Sequence, residues 1–95
     1  MDIEIIKGTK EGQSKLNKVK NFLASSGLDL DDDIDTTVCI MEDGNLVATG
    51  SRAKYLLKCI AVSEEARGSG YMSALMGTLW QDAFQNGVKE LLVYT

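Results

Sequence analysis

Residues 56–85 read LLKCIAVSEEARGSGYMSALMGTLWQDAFQ, and the rest of the predicted fold is arranged around them. An apolar run ends at Val62, a polar loop follows, and Gly68-Ser69-Gly70 then precedes an amphipathic segment. This order predicts a strand, a glycine-rich turn and a helix. The amide N–H groups in the first turn of a helix have no partner within the helix, and with the helix dipole they favour a phosphate. The stretch therefore predicts an anion-binding turn.

Apolar residues recur at helical spacing after this turn, which predicts a helix from Ser69 or Gly70 to Asn86-Gly87. They are Met72, Leu75, Met76, Leu79, Trp80, Ala83 and Phe84. We interpret the tryptophan and the methionines as core residues rather than as a ligand-binding stripe. The strand predicted next, Lys89–Tyr94, should lie parallel to Tyr55–Val62, because a strand, helix and strand in succession form a right-handed crossover.

The upstream chain alternates between apolar runs and turn residues. These patterns predict a strand over Asp2–Ile6, a helix over Gln13–Ser26 with Gly27 as its cap, and strands over Thr36–Met41 and Leu46–Ser51 joined at Asp43-Gly44. The order is β-α-β-β-β-α-β. With 95 residues, we expect a single α/β (α+β) domain with a mixed sheet in which the last two strands are parallel.

The acidic run from Asp29 to Asp35 has two interpretations. With Asp31 at the first position and Glu42 at the last, the acids match part of a calcium-binding loop, but Thr36 stands where the sharp turn of that loop requires glycine. We interpret the run as a solvated loop and predict no metal site.

Composition excludes several classes of function. The formal net charge is -4, which argues against non-specific nucleic-acid binding. There is no histidine, so Ser-His-Asp and Cys-His mechanisms are excluded, and two cysteines alone cannot form a zinc site. No apolar window has the length of a membrane span. Cys39 and Cys59 lie in apolar runs, as expected of reduced thiols, so we expect a cytoplasmic protein.

The glycine turn resembles motif A of the GNAT acetyltransferase superfamily, Arg/Gln-x-x-Gly-x-Gly/Ala. Arg67 and Gly70 match this pattern, whereas Met72 stands at its last position. In that superfamily the turn holds the pyrophosphate of coenzyme A, and the pantetheine arm lies between two splayed parallel strands. The resemblance implies a partial GNAT-like fold, with Lys58–Val62 and Leu91–Thr95 as those strands. The implied cofactor-binding residues are Arg67, Gly68, Ser69, Gly70, Tyr71, Met72, Ile60, Ala61 and Val62.

A narrower resemblance is carried by the runs DTTVCIMEDGNLVATGS and LLKCIAVSEEARGSG and by the closing LLVYT. Together they are similar to the N-terminal domain of the citrate lyase ligase family. That family joins this domain to a nucleotidyltransferase domain with a His-x-Gly-His-type motif. Because the chain has no histidine, the resemblance implies that residues 1–95 are one GNAT-like domain of a longer two-domain chain.

The citrate lyase ligase family activates acetate with ATP and acetylates the coenzyme-A-derived prosthetic group of the citrate lyase acyl carrier protein. The resemblance implies that this domain recognises coenzyme A, acetyl-CoA or that prosthetic group, with the carrier protein as a partner. ATP would act only through the second domain, and the isolated chain would be inactive. Two alternatives stay open: an N-acetyltransferase that uses acetyl-CoA, and a non-catalytic docking module.

The residues leave the catalytic group unassigned. Cys59 is either a nucleophile or a buried structural thiol, and we favour the latter because no histidine activates it. Glu64 and Glu65 are either a general base or solvated loop acids near a helix start. Tyr94 is either an acid for a leaving thiolate or a residue packed in the sheet. The predicted last strand lies bare at the sheet edge, which permits a homodimer through that edge.

Overall fold

The computed structural model describes residues 2–8, 13–30 and 33–93. Five strands, two helices and one short 3₁₀ turn, Glu64–Ala66, make up this part of the chain. In chain order the helices and strands are β1 (Asp2–Lys7), α1 (Gln13–Ser25), β2 (Thr36–Glu42), β3 (Asn45–Ala53), β4 (Leu56–Val62), α2 (Tyr71–Gln85) and β5 (Leu92–Val93). Neither described helix is long and apolar enough to cross a membrane.

The five strands form one sheet in the order β1-β2-β3-β4-β5. The first three pairs are antiparallel, and β4 pairs with β5 in parallel. The predicted element order and mixed sheet are therefore confirmed. The helices cover different sets of sheet residues. Buried residues of α1, such as Leu16 and Leu23, share a cluster with Cys39, whereas Leu75 and Leu79 of α2 share a cluster with Val38.

The two predicted turns that depend on a left-handed backbone are confirmed. Asp43 and Gly44 have φ values of 51° and 80°, as the β2–β3 hairpin requires. Gly27, with φ of 74°, follows the end of α1, and the amide of Leu28 donates to the carbonyl oxygen of Leu23. This last bond closes α1 in the manner of a Schellman cap.

Two strand boundaries differ from the prediction by more than one residue. The third strand continues past its predicted end at Ser51 to Ala53, because Arg52 pairs with Leu57 across the ladder and is held inside by an ion pair. The last strand begins at Leu92 instead of Lys89 and is described as far as Val93. Tyr94 itself lies outside the described residues.

The interpretation of the second helix as apolar core was partly wrong. Leu75, Leu79 and Ala83 are buried, but the side chains of Trp80 and Phe84 are 46% and 64% exposed. The predicted apolar face was too wide for the contact that one helix makes with one sheet. Met72 is also exposed, whereas Met76 is partly buried against the core.

A β-bulge interrupts the pairing of β3 with β4. Thr49 pairs with Ala61 and Ser51 pairs with Lys58, so two residues of β4, Cys59 and Ile60, stand opposite Gly50 alone. Cys59 has a positive φ of 56°, a conformation that is unfavourable for a residue with a side chain. The extra residue changes which side chains of β4 face each helix. Leu57 and Ile60, three residues apart, both pack on the α2 side, whereas an uninterrupted strand would place them on opposite faces, and Ala61 packs on the α1 side.

Gly50 makes this arrangement possible. A Cβ atom at that position would lie 3.0 Å from Leu79 Cδ1 and 3.6 Å from Ile60 Cγ1. The absence of a side chain therefore lets α2 pack closely on the sheet opposite the bulge.

A buried ionic cluster fixes the C-terminal end of α2 to the sheet. The Asp82 side chain is 6% exposed, and its Oδ2 atom accepts hydrogen bonds from Arg52 Nη2 at 2.8 Å and Thr36 Oγ1 at 2.9 Å. Lys7 forms an ion pair with the second carboxylate oxygen. Burial alone raises the pKa of Asp82, but the hydrogen bonds from Lys7, Arg52 and Thr36 outweigh it and hold the pKa below its ordinary value. Asp82 thus joins α2 to β1, β2 and β3.

The Asp82→Asn variant should lower the free energy of unfolding by about 2 to 3 kcal/mol, because it leaves the buried Arg52 guanidinium without its counter-charge. Urea unfolding at pH 7 measures the change. Asp2→Asn makes the same chemical change at an exposed position of β1 and should cost less than about 0.5 kcal/mol. Equal effects of the two substitutions would contradict a structural role for the cluster.

The contribution of Asp82 to the free energy of unfolding should also depend on pH. Because its pKa is lower in the folded chain than in the unfolded chain, its stabilisation is complete above the unfolded pKa of about 3.9 and is lost as the pH falls through the folded value. The difference in unfolding free energy between the parent and Asp82→Asn should therefore narrow below about pH 4. Urea titrations of both chains from pH 7 to pH 3 test this, and a constant difference would show that Asp82 does not titrate as described.

Candidate functional site

A cleft of about 490 Å³ lies where the end of β4 meets the start of α2. Its walls come from three parts of the chain: the residues that follow α1, the last residues of β4, and the turn that leads into α2. The lining residues are Ser26, Leu28, Ile60, Ala61, Val62, Ala66, Arg67, Gly68, Gly70, Tyr71, Met72 and Ser73.

The turn before α2 depends on left-handed glycines. Gly68 and Gly70 have φ values of 84° and 80°. Between the 3₁₀ turn and the helix, the amide of Arg67 donates to the carbonyl oxygen of Glu64, and the amide of Ser69 donates to that of Ala66. Glycine is the residue that adopts this backbone without strain, so both glycines are explained by the turn itself.

The start of α2 supplies amide donors beside the cleft. Gly70 is the cap residue, and its carbonyl oxygen accepts the amide of Ala74 at 3.2 Å. The amide groups of Tyr71, Met72 and Ser73 come before this first helical bond and have no acceptor within the helix. Three residues that line the cleft therefore carry backbone donors at the positive end of the helix dipole.

The last residues of β4 lie beside the cleft. Among the described residues, β5 pairs with β4 through the register Leu56 with Leu92 and Leu57 with Val93. As far as Val93, the last described residue, β4 has no further partner on this side. The bulge at Cys59 follows the paired residues of β4, and a bulge bends its strand.

Charges around the turn are mixed. The Arg67 side chain is exposed at the cleft, while Glu64 and Glu65 are exposed in the preceding 3₁₀ turn. Tyr71 donates its hydroxyl to Glu42 Oε1 at 2.8 Å, and this hydrogen bond raises the pKa of Tyr71. The tyrosine ring is therefore held at the cleft by the end of β2.

Most of the predicted site residues meet in the cleft. Eight of the nine line it, and Ser69 lies in the turn without being one of the lining residues. That they bind a cofactor remains a prediction. The contribution of Ser26 and Leu28 was missed, because only the tertiary packing of α1 shows that its end reaches β4. Ser73 could have been included, since it belongs to the same first helical turn as Met72.

The cysteines lie outside the lining of the cleft. Cys39 is 4% exposed, and burial raises its pKa to about 11, as expected of a thiol in an apolar run. Cys59 packs against the α1 cluster, and its Sγ lies 3.4 Å from the carbonyl oxygen of Asp29. This environment agrees with a structural thiol.

The described acids of the hypothetical calcium-binding loop bind other groups of the chain. Asp33 binds Lys58 at 2.9 Å, and Asp35 Oδ2 accepts the amide of Lys54 at 2.6 Å. The Lys58 hydrogen bond lowers the pKa of Asp33. Asp31, the first residue of that hypothetical loop, lies outside the described residues. The described acids tie the loop after α1 to β4 and to the β3–β4 turn.

Comparison with known proteins agrees with this geometry. The family model for the acetyltransferase (GNAT) family matches residues 9–95. The chain therefore belongs to the GNAT family.

Among curated proteins, the chain is similar to citrate [pro-3S]-lyase ligases. It is 30% identical over 81 residues to the enzyme of Escherichia coli K12 and 33% identical over 84 residues to that of Haemophilus influenzae. The matches cover 85% and 87% of this chain. They cover 23% and 25% of the relatives, so the chain spans about a quarter of the length of these proteins.

Solved structures share the fold at lower identity. A ribosomal-protein-alanine N-acetyltransferase from Brucella melitensis biovar Abortus 2308 matches with a TM-score of 0.76 and 19% identity, covering 99% of this chain and 79% of that one. The N-acetylglutamate synthase of Neisseria gonorrhoeae, solved with coenzyme A and N-acetyl-glutamate, matches with a TM-score of 0.65 and 18% identity. That match covers 98% of this chain and 25% of the synthase.

The Gly70→Ala variant should be less stable than the parent by about 1 to 2 kcal/mol. A Cβ atom at Gly70 would meet nothing within 4 Å, so the cost comes from its φ of 80° and not from a clash. Urea unfolding measures this change, with Ser69→Ala as the neighbouring control. If Gly70→Ala is as stable as Ser69→Ala, the left-handed turn described for this site is incorrect.

Proposed function

We propose that this chain is the GNAT-like part of a longer citrate lyase ligase and that its cleft recognises a coenzyme-A-like group. The observation that carries this proposal is the junction of a helix start rich in amide donors with the last residues of β4, for which the described part of β5, as far as Val93, supplies no partner. The similarity to two citrate lyase ligases supports the choice of parent protein. The coenzyme A bound by the gonococcal synthase supports the choice of ligand class.

The chemistry of the ligand fits the two parts of the cleft. A diphosphate carries its charge on oxygens, which the amides of Tyr71, Met72 and Ser73 can reach as donors. The pantetheine arm carries two amide groups, which can hydrogen-bond to backbone groups along the edge of β4 beyond its described pairs with β5. In this arrangement Arg67 pairs with a phosphate oxygen, and Ile60 and Val62 contact the arm.

In the proposed parent enzyme, acetate is activated with ATP and the acetyl group passes to the prosthetic group of an acyl carrier protein. We assign the ATP step to a second domain, as in the resemblance described above. The present domain would hold the coenzyme-A-like group of the carrier protein, so its function is recognition and its isolated form is inactive.

A second candidate is an N-acetyltransferase that uses acetyl-CoA. The structural match to the ribosomal-protein-alanine N-acetyltransferase favours it, because this chain covers 79% of that enzyme. The two candidates share the coenzyme A site and differ in the fate of the acetyl group. Release of free thiol from acetyl-CoA in the presence of small amines would favour the acetyltransferase.

Calorimetric titration with coenzyme A tests the proposed site. The parent should bind, and Gly70→Glu should lose binding because it adds a carboxylate beside the phosphate position. Arg67→Gln should weaken binding about 3- to 10-fold through loss of one charge-assisted hydrogen bond. Lys20→Gln removes the same charge from the exposed face of α1 and should leave the affinity unchanged.

Circular dichroism and urea unfolding of each variant establish that it is folded. Equal affinity of the parent and Gly70→Glu would place the ligand elsewhere and overturn the site. No binding by the folded parent would show that this domain does not recognise coenzyme A by itself. Carrier-protein binding that survives Gly70→Glu would favour the docking module instead.

A further inference from the structure

The outward face of α2 carries no charge; its polar members are Ser73, Gln81 and Gln85, and its large apolar members are Met72, Trp80 and Phe84. All residues of Tyr71–Gln85 are described, and the single charged residue among them is Asp82, which is buried and paired. The outward residues include Ser73, Gly77, Trp80 and Phe84, all of which are exposed. In a chain with 25% charged residues, a neutral face of this length with two exposed aromatic rings is typical of a contact surface.

The aromatic residues form one continuous ridge. Trp80 and Phe84 lie one helical turn apart, with ring centroids 6.5 Å apart and ring planes inclined at 39°. Their exposed surface is roughly 200 to 250 Å² for the pair, from the size of aromatic side chains. This ridge contributes little to the core of its own chain, because both rings remain about half exposed or more.

Two small residues lie beside the ridge on the same face. Ser73 and Gly77 precede Trp80 and Phe84 by seven residues each, which is close to two helical turns. A Cβ atom at Gly77 would meet nothing within 4 Å, so no contact within the chain requires glycine there. Glycine in the middle of a helix is unfavourable, and its use here indicates that another backbone or bulky side chain approaches this position.

Small and large residues alternate along this face in a self-complementary way. Consider two copies of α2 that lie antiparallel, related by a two-fold axis at the level midway between Thr78 and Leu79 along the helix. The numbers of two residues that face each other then add to 157. Trp80 of each copy then lies over Gly77 of the other, and Phe84 lies over Ser73. A two-fold interface requires this reciprocity, in which the same patch supplies both the protruding side chains and the gaps.

We propose that the outward face of α2 binds a second copy of this chain, with Trp80 and Phe84 filling the gaps at Gly77 and Ser73. The absence of charge supports this occupant, since two chains of net charge -4 repel each other elsewhere on their surfaces. The proposal differs from a dimer through the edge of β5 and does not rest on coenzyme A binding.

The size of the face sets the expected affinity. Stable protein interfaces bury about 800 Å² on each partner, and one helix face offers less than that. We therefore expect a reversible dimer with a dissociation constant in the range of about 10 to 100 μM.

Sedimentation equilibrium of the 95-residue chain from about 1 to 500 μM tests this proposal. The mass should rise from monomer to dimer, and the emission of Trp80, the single tryptophan of the sequence, should shift to shorter wavelength over the same range. Gly77→Glu should raise the dissociation constant at least 10-fold, because it fills the gap and places two carboxylates near the axis.

Asn17→Glu is the matched control, because it adds the same charge to the exposed side of α1. It should dimerise like the parent, and both variants should unfold in urea as the parent does or at higher concentration. A parent chain that remains monomeric to 500 μM would overturn the proposal and leave this face to another occupant, such as further polypeptide of a longer protein. Dimerisation of Gly77→Glu equal to that of Asn17→Glu would overturn it as well.

Discussion

The extra residue of β4 opposite Gly50 is the constraint on which the rest of this structure depends. It places Leu57 and Ile60 on the α2 side of the sheet and Ala61 on the α1 side, so both helices find apolar surface on the same strand. It also lies two residues beyond the last described pair of β4 with β5. One local distortion therefore contributes to the core and to the wall of the cleft.

The two ends of α2 are held by different interactions. At its C-terminal end, Asp82 forms hydrogen bonds and ion pairs with three strands. At its N-terminal end, the left-handed turn at Gly70 leaves the amides of Tyr71 to Ser73 beside the cleft. A buried ionic cluster at one end thus fixes the helix, while the free donors at the other end remain available for a ligand.

Hydrophobic patterns did not predict the exposed side of α2 or the part of the cleft that follows α1. Hydrophobic spacing correctly identified Leu75 and Leu79 as core, but it could not separate them from Trp80 and Phe84, which lie on the same wide stripe. The sheet contacts only part of the circumference of α2, and the hydrophobic spacing does not predict which part of the wide apolar stripe that is. Likewise, nothing near Ser26 and Leu28 in the sequence indicates that they would face Ile60 to Val62.

The sequence by itself determined the order of elements, the hairpin at Asp43-Gly44 and the glycine turn before α2, because these depend on local periodicity and on residues that tolerate a positive φ. Three features follow from tertiary packing and not from local sequence: the bulge at Cys59, the late start of β5 at Leu92, and the burial of Arg52 with Asp82. Each of these joins residues that are distant in the chain or depends on a mismatch between paired strands. Such features arise from packing between elements, so local composition does not predict them.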